Sequence, residues 1–308
     1  MKKNILWKRL VIGLVIICVG IGTIPSVMSV RIDQKPSTIG DTWIVDDEGD
    51  GDFTSIQDAI DASSEGDTIE VYSGTYIENI WIYINNLIVI GMDEEHGSGG
   101  DSGKPIIDGS ESDNVVDLKL EINEPIEGVE FSGFEIKNGG IGNSGISIYH
   151  ASDIKIFECD ITLNSIGIHA DTVDTLSIYE NYIFDNTQGL YIDNSDQNNV
   201  IENTFDSNSE YGIWLGETTS SELSQNLITN CGTGIYFLRA SGNDIISNDF
   251  VTNEKHADFL NCFNYWRYNS WDDNKRPLNI YVIWGGFKPF AGISWLIFPI
   301  PQFDWNAS

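Results

Sequence analysis

The side chains best placed to meet a ligand recur at one phase. Two residues after each of five evenly spaced glycines stand Ser147, His169, Tyr191, Trp214 and Tyr236. Each is flanked by apolar residues, as in Ile168-His169-Ala170 and Leu190-Tyr191-Ile192. Alternation of this kind sends the flanking residues inward and the central one to the outer face. On adjacent strands, His169, Tyr191, Trp214 and Tyr236 would form an aromatic strip ~14 Å long. Such a strip suits the apolar faces of sugar rings, with acids beside it taking hydroxyls. Asp171 and Asp193, two residues further on, would supply those acids. The reading is a platform for a polysaccharide, built from His169, Tyr191, Trp214, Tyr236, Asp171 and Asp193. Cross-strand aromatic pairs also stabilise a sheet with no ligand present.

A second column, Glu158, Glu180 and Glu202, falls at a turn phase. Like charges one strand apart repel unless screened or bridged, and calcium prefers such oxygens. Calcium is therefore the one metal this column suggests. The run Asp46-Asp47-Glu48-Gly49-Asp50-Gly51-Asp52 is similar to a calcium loop, although its twelfth position is Gln57 rather than Glu.

These columns exist because the chain repeats. Gly145, Gly167, Gly189, Gly212 and Gly234 are spaced by 22, 22, 23 and 22 residues. Aligned on them are Ile146, Ile168, Leu190, Ile213 and Ile235, then Ile156, Ile178, Val200, Leu223 and Ile245. Short alternating runs separated by Asn, Asp, Ser and Gly are strands, and no 10-residue helical pattern fits in the unit. Repeating strands in constant phase predict an all-β coil, a right-handed parallel β-helix, in which no turn can bury its apolar face alone. Asn181, Asn203, Asn226 and Asn248 share one phase, with Cys159 a turn earlier. They predict a ladder of bonded amides at a turn, where Asn also tolerates left-handed backbone. A second polar column, Asn164, Asn186, Asn208, Asn230 and Asn253, marks the next turn. The extra residue of the longer unit falls near Asn208–Tyr211.

The composition narrows the partners. The 308 residues include 47 acidic and 16 basic ones, a net charge of −31. Nucleic acid is excluded, because phosphate binding needs a basic face. Residues 1–29 read as a signal peptide or an uncleaved anchor: Lys2, Lys3, Lys8 and Arg9 precede apolar Leu10–Ile24. Contact with a membrane is expected only through that segment, and the body is secreted or displayed on the cell surface. Residues 30–42 form a linker, 43–260 the β-helix with regular repeats over 145–255, and 261–308 an aromatic C-terminal cap. Beyond Cys18, the odd set Cys159, Cys231 and Cys262 predicts small core fillers rather than disulfides. Thr54-Ser55-Ile56-Gln57 predicts a capping box opening a short helix to about Ala62, a lid on the first turn.

The run VDDEGDGDFTSIQDAIDASSEGDTIEVYSGTYIENI, Val45 to Ile80, resembles the N-terminal signature of pectin-lyase-like right-handed β-helix proteins. The later repeats resemble those of the NosD-like family, archaeal surface proteins among them. The segments NYWRYNSWDD and FPIPQFDWN are similar to that family's closing segment. The resemblance implies the fold over most of 43–265. It also implies two functions to weigh: a carbohydrate-active enzyme, such as a polysaccharide lyase, and a copper-binding accessory protein. The Gly-His-Gly and Arg-Ile-Lys elements of β-helix hydrolases are absent from the sequence. Of the arginines beyond the signal, only Arg239 lies in the regular coil, with no aspartate cluster beside it in sequence. His96, His150, His169 and His256 show no copper-ligand spacing. No catalytic residue and no certain cofactor are assigned. The sequence reads as a non-catalytic β-helix protein that binds polysaccharide or serves the cell envelope.

Overall fold

A computed structural model describes residues 40–120, 124–272, 280–287 and 298–305, the last two as backbone strands. The expected signal segment, most of the linker and parts of the cap lie outside the described residues. Among the described residues, no helix is long and apolar enough to cross a membrane.

The chain winds into about ten turns of right-handed parallel β-helix. One regular turn carries a long strand, Tyr211–Gly216, and two short ones, Glu222–Ser224 and Leu227–Thr229. Each pairs in parallel with its equivalents one turn away: Tyr211–Gly216 with Gln188–Asp193 on one side and Thr233–Leu238 on the other. The register keeps like residues in line, so Leu190, Ile213 and Ile235 stack, as do Val200, Leu223 and Ile245. All six are fully buried. The core is thus a set of apolar columns that neighbouring turns complete for one another. The repeat glycines allow the turns to close: a Cβ on Gly189 would sit 2.5 Å from the Gly212 carbonyl oxygen.

The buried amides form a continuous ladder. Asn181, Asn203, Asn226 and Asn248 each donate their backbone N–H to the Oδ1 of the next, and Asn269 receives the last of these bonds. Their Nδ2 atoms bond the same oxygens and a core carbonyl of the preceding turn, as Asn203 does to Asn226 Oδ1 and Ile178 O. These asparagines are not in the left-handed conformation. The residues before them are: Glu158, Glu180, Glu202, Gln225 and Ser247 have φ between 54° and 58°. That division is physical. The left-handed residue turns the chain and points outward, and the next side chain is thereby turned in to bond.

The second polar column runs Asn164, Asn186, Asn208, Cys231 and Asn253. Asn230 is instead an exposed left-handed residue bonded to Asp206. The extra residue at Ser209–Glu210 shifts the count by one, since Gln188 pairs with Tyr211 while Asn186 bonds Asn208. A third ladder follows Asn198, Ser221, Asn243 and Asn264.

At the N-terminal end, helix Ile56–Ala62 buries Ile56, Ala59 and Ile60. Its N-cap is Ser55, one residue later than the capping box predicts. The distant Glu78 carboxylate accepts from the Ile56 and Gln57 N–H groups, so a tertiary contact meets the need that a local box would. At the other end the coil continues through Tyr265–Arg267 and Ser270–Trp271, with Trp271 stacked on Phe250 at 4.2 Å. Strands Ile280–Phe287 and Phe298–Trp305 then pair antiparallel.

Replacing Asn203 with Leu removes the acceptor of the buried Asn181 N–H. An orphan of this kind costs about 1–3 kcal/mol, so Asn203→Leu should lose roughly that much in urea melts. A loss below about 0.5 kcal/mol would show that the ladder adds nothing to the paired strands.

Candidate functional site

The outer face of the long sheet gathers the predicted ligand residues. His169, Tyr191, Trp214 and Tyr236 are in direct register on adjacent strands. The His169 and Tyr191 rings meet edge to face at 5.1 Å. Tyr191 and Trp214 lie parallel, 4.0 Å apart and 3° from coplanar. Trp214 and Tyr236 are 6.4 Å apart, with Tyr211 joining from the side at 5.3 Å. Tyr191 and Trp214 therefore spend facing surfaces on each other across the rung spacing. Their edges, and the tyrosine hydroxyl, are left for the outside. Trp214 is only 9% exposed although it is on the outer face. Its ring covers Gly216, where a Cβ would come within 2.3 Å of it.

The acids sit one column over. Asp171 pairs in register with Asp193, and both are half-buried. Asp171 accepts from the Thr172 hydroxyl at 3.0 Å and the Asn194 amide at 3.3 Å. Burial raises the Asp193 carboxyl above its ordinary range, against the Asn194 backbone N–H, and Asp171 adds to the rise. Burial also holds the His169 imidazole below its ordinary value, and the nearby aspartates only partly offset this. His169 is accordingly neutral at pH 7, able to donate from one ring nitrogen and accept at the other.

The next column holds residues that sequence reasoning missed. Thr172, Asn194, Glu217 and Arg239 occupy one left-handed turn position, with φ between 45° and 59°. Arg239 pairs with Glu217 at 2.6 Å and lowers the charge burden on Asp193. The partner of Arg239 is thus a glutamate, and the aspartate whose charge it eases, Asp193, lies two strands away. The signal was available: each acid lies one or two repeat lengths from the arginine, at a neighbouring phase.

The remaining candidates fall elsewhere. Glu158, Glu180 and Glu202 stand exposed on successive left-handed turns. Glu202 accepts from Gln225 at 2.6 Å. Among the described residues, the trios of metal-capable atoms within 4.8 Å of one another are Asp46, Glu48, Glu95 and Asp47, Glu48, Asp101. The glutamate column is in neither. Both trios are carboxylate only, a donor set for a hard cation.

Copper is not suited by the described donors. His96 packs tilted against Tyr72, and His256 is buried against Asp272 at 3.0 Å. Burial pushes the Cys159 and Cys262 thiols up to about 12 and Cys231 up to about 11, so thiolate ligands are disfavoured. None of these groups joins a trio among the described residues.

Comparison with known proteins places this architecture. Solved structures with a similar coil include the periplasmic alginate epimerase AlgG, with a TM-score of 0.44 and 14% identity over 74% of this chain and 62% of that one. A DFA-IIIase from Arthrobacter chlorophenolicus A6 aligns with a TM-score of 0.45 and 14% identity over 70% of this chain and 73% of that one. An alginate lyase from Paenibacillus sp. str. FPU-7 gives 0.44 and 12% over 68% and 92%. The chain thus spans less than two thirds of the epimerase's length. No curated protein matches. The model of one protein family, described as "Periplasmic copper-binding protein (NosD)", matches residues 60–282. That match covers well over half of the chain and holds its regular repeats and ladders, and the chain belongs to the NosD family.

Proposed function

We propose that this protein is an extracytoplasmic β-helix that binds an extended polysaccharide along the outer face of its long sheet, without catalysis. The observation that carries the reading is the unbroken register of His169, Tyr191, Trp214 and Tyr236 beside Asp171 and Asp193. A repeated ligand meets a repeated surface there. The geometry refines the mode of contact. The Tyr191 hydroxyl, the neutral His169 and the two carboxylates offer hydrogen bonds to hydroxyl groups, and the stacked rings hold those groups in place. The carboxylates and the net charge of −31 favour a neutral glycan. The family's description supports a place outside the cytoplasm. Its copper is not carried over, because the described donors do not suit it.

One observation favours a second reading on the same ligand. Two carboxylates on neighbouring strands, one raised by burial, are the pair that glycoside hydrolysis uses, the raised one as acid.

The double variant Asp171→Ala and Asp193→Ala removes both acceptors from partly exposed positions. It should weaken binding to neutral glycans on an array at least tenfold, while thermal melting stays within a few degrees. Unchanged binding would move the ligand, if any, to another face. New reducing ends from the parent protein, lost in the double variant, would make it a hydrolase.

The imidazole supplies a second test. A depressed folded value means that the unfolded chain binds the proton first as pH falls from 6.5. The stability tied to neutral His169 is thus full above 6.5 and declines as pH drops towards the folded midpoint. NMR titration of His169 should place that midpoint below 6.5. A midpoint at or above 6.5 would mean that its site is wetter, or more dominated by the aspartates, than the packing implies.

A further inference from the structure

The first turn carries buried negative charge with nothing to balance it. Asp46 is wholly buried, directly after strand Thr42–Val45. Its Oδ2 accepts from the Asp50 backbone N–H at 2.8 Å, and its Oδ1 has no partner. Two neighbours repeat that arrangement. Asp47 Oδ2 accepts from the Thr75 N–H at 3.0 Å, and Glu95 Oε2 from the Asp101 N–H at 2.9 Å. Asp47 Oδ1 and Glu95 Oε1 are buried and unpartnered. In each case one oxygen is pinned by the backbone, and the other is left free.

The carboxylates gather in two overlapping groups. Ligand atoms of Asp46, Glu48 and Glu95 lie within 4.8 Å of one another, as do those of Asp47, Glu48 and Asp101. Glycines make room at them: a Cβ on Gly99 would sit 2.4 Å from Glu95 Oε1, and one on Gly74 2.2 Å from Asp47 Oδ1. No Lys, Arg or His among the described residues pairs with these five carboxylates. Lys104, in the same loop as Glu95, reaches away to Asp160 at 2.8 Å. His96 packs against Tyr72.

A buried carboxylate oxygen without a hydrogen bond or counter-charge is costly and rare. The wholly buried Asp46, with an unpartnered Oδ1 and with Glu48 and Glu95 ligand atoms within 4.8 Å, calls for a positive occupant. The geometry points to a divalent-cation site for calcium, centred on Asp46, Glu48 and Glu95, with Asp47 and Asp101 as its second wall. An all-oxygen shell of mixed spacing suits calcium, which takes six to eight oxygens in flexible geometry, better than magnesium, which demands a tight octahedron. Water would complete the shell on the side where Glu48 and Asp101 are exposed. The bound ion would join the loop after the first strand to the excursion over 92–104. The two are otherwise linked by Ser98, which bonds Asp50 from its N–H and its hydroxyl. The site is thus a clasp on the N-terminal turn, separate from the ligand face at 169–239.

The test uses the full chain, stripped with a chelator and titrated with calcium chloride in a calorimeter, with melting followed in parallel. Calcium should bind in at least one equivalent and raise the melting temperature by several degrees, and magnesium should bind at least tenfold more weakly. Glu95→Gln and Asp101→Asn, on partly exposed loop positions, should each weaken calcium at least tenfold. They keep the test valid should Asp46→Asn fail to fold. Glu180→Gln, on the exposed turn column, should bind as the parent does. No calcium heat and no melting shift would overturn the proposal, as would equal loss in Glu180→Gln or full binding in both loop variants.

Discussion

The structure depends on hydrogen bonds that run along the coil axis and find partners only in the next turn. A strand of three residues, such as Glu222–Ser224, cannot hold itself. It is fixed by parallel neighbours above and below and by the side-chain ladder at its end. The Asn203 amide serves three groups at once, the Ile201 carbonyl just before it, the next amide and the Ile178 carbonyl of the preceding turn, so its Nδ2 is well partnered although buried. A slip of one residue would break every one of those bonds and turn the apolar columns outward. Register is therefore a shared property of the stack.

That cooperation explains why so much was legible. A column of Ile or Asn at constant phase has one physical meaning, and the buried set over 145–250 follows from it. The failures have physical reasons too. A fixed count puts Asn230 in the second polar column because it ignores the residue added at Ser209–Glu210, and Cys231 takes that position. Left-handed backbone was given to the asparagines, whereas Glu180, Glu202 and Gln225 bear it. Intrinsic preference was there overridden by the need to turn the amide inward. The helix cap went to a local box, but Glu78 supplies it from another turn. Of the carboxylate cluster only the Asp46–Glu48 half was readable, as part of a run similar to a calcium loop; Glu95 and Asp101 come from a distant excursion outside the repeat.

The same stacking shapes any function on the outer face. A residue placed once per turn becomes a column, and its neighbours determine what it can offer. Tyr191 and Trp214 could have shown flat faces to a ligand, but at 4.0 Å they face each other. What remains outward is polar: ring edges, a neutral imidazole and two carboxylates, one raised by burial. The arrangement is rigid, because each ring is held by strands bonded on both sides. A surface held this firmly loses little conformational entropy on any contact made there.

The central claim is that the buried amides hold the turns in register. Hydrogen exchange tests it directly, because the Nδ2 protons of the ladder can be followed one by one. The account predicts that those of Asn181, Asn203 and Asn226 exchange as slowly as the backbone amides of the long strands, and far more slowly than those of exposed Asn194. Exchange of the ladder amides at the rate of Asn194, with the strands still protected, would contradict it.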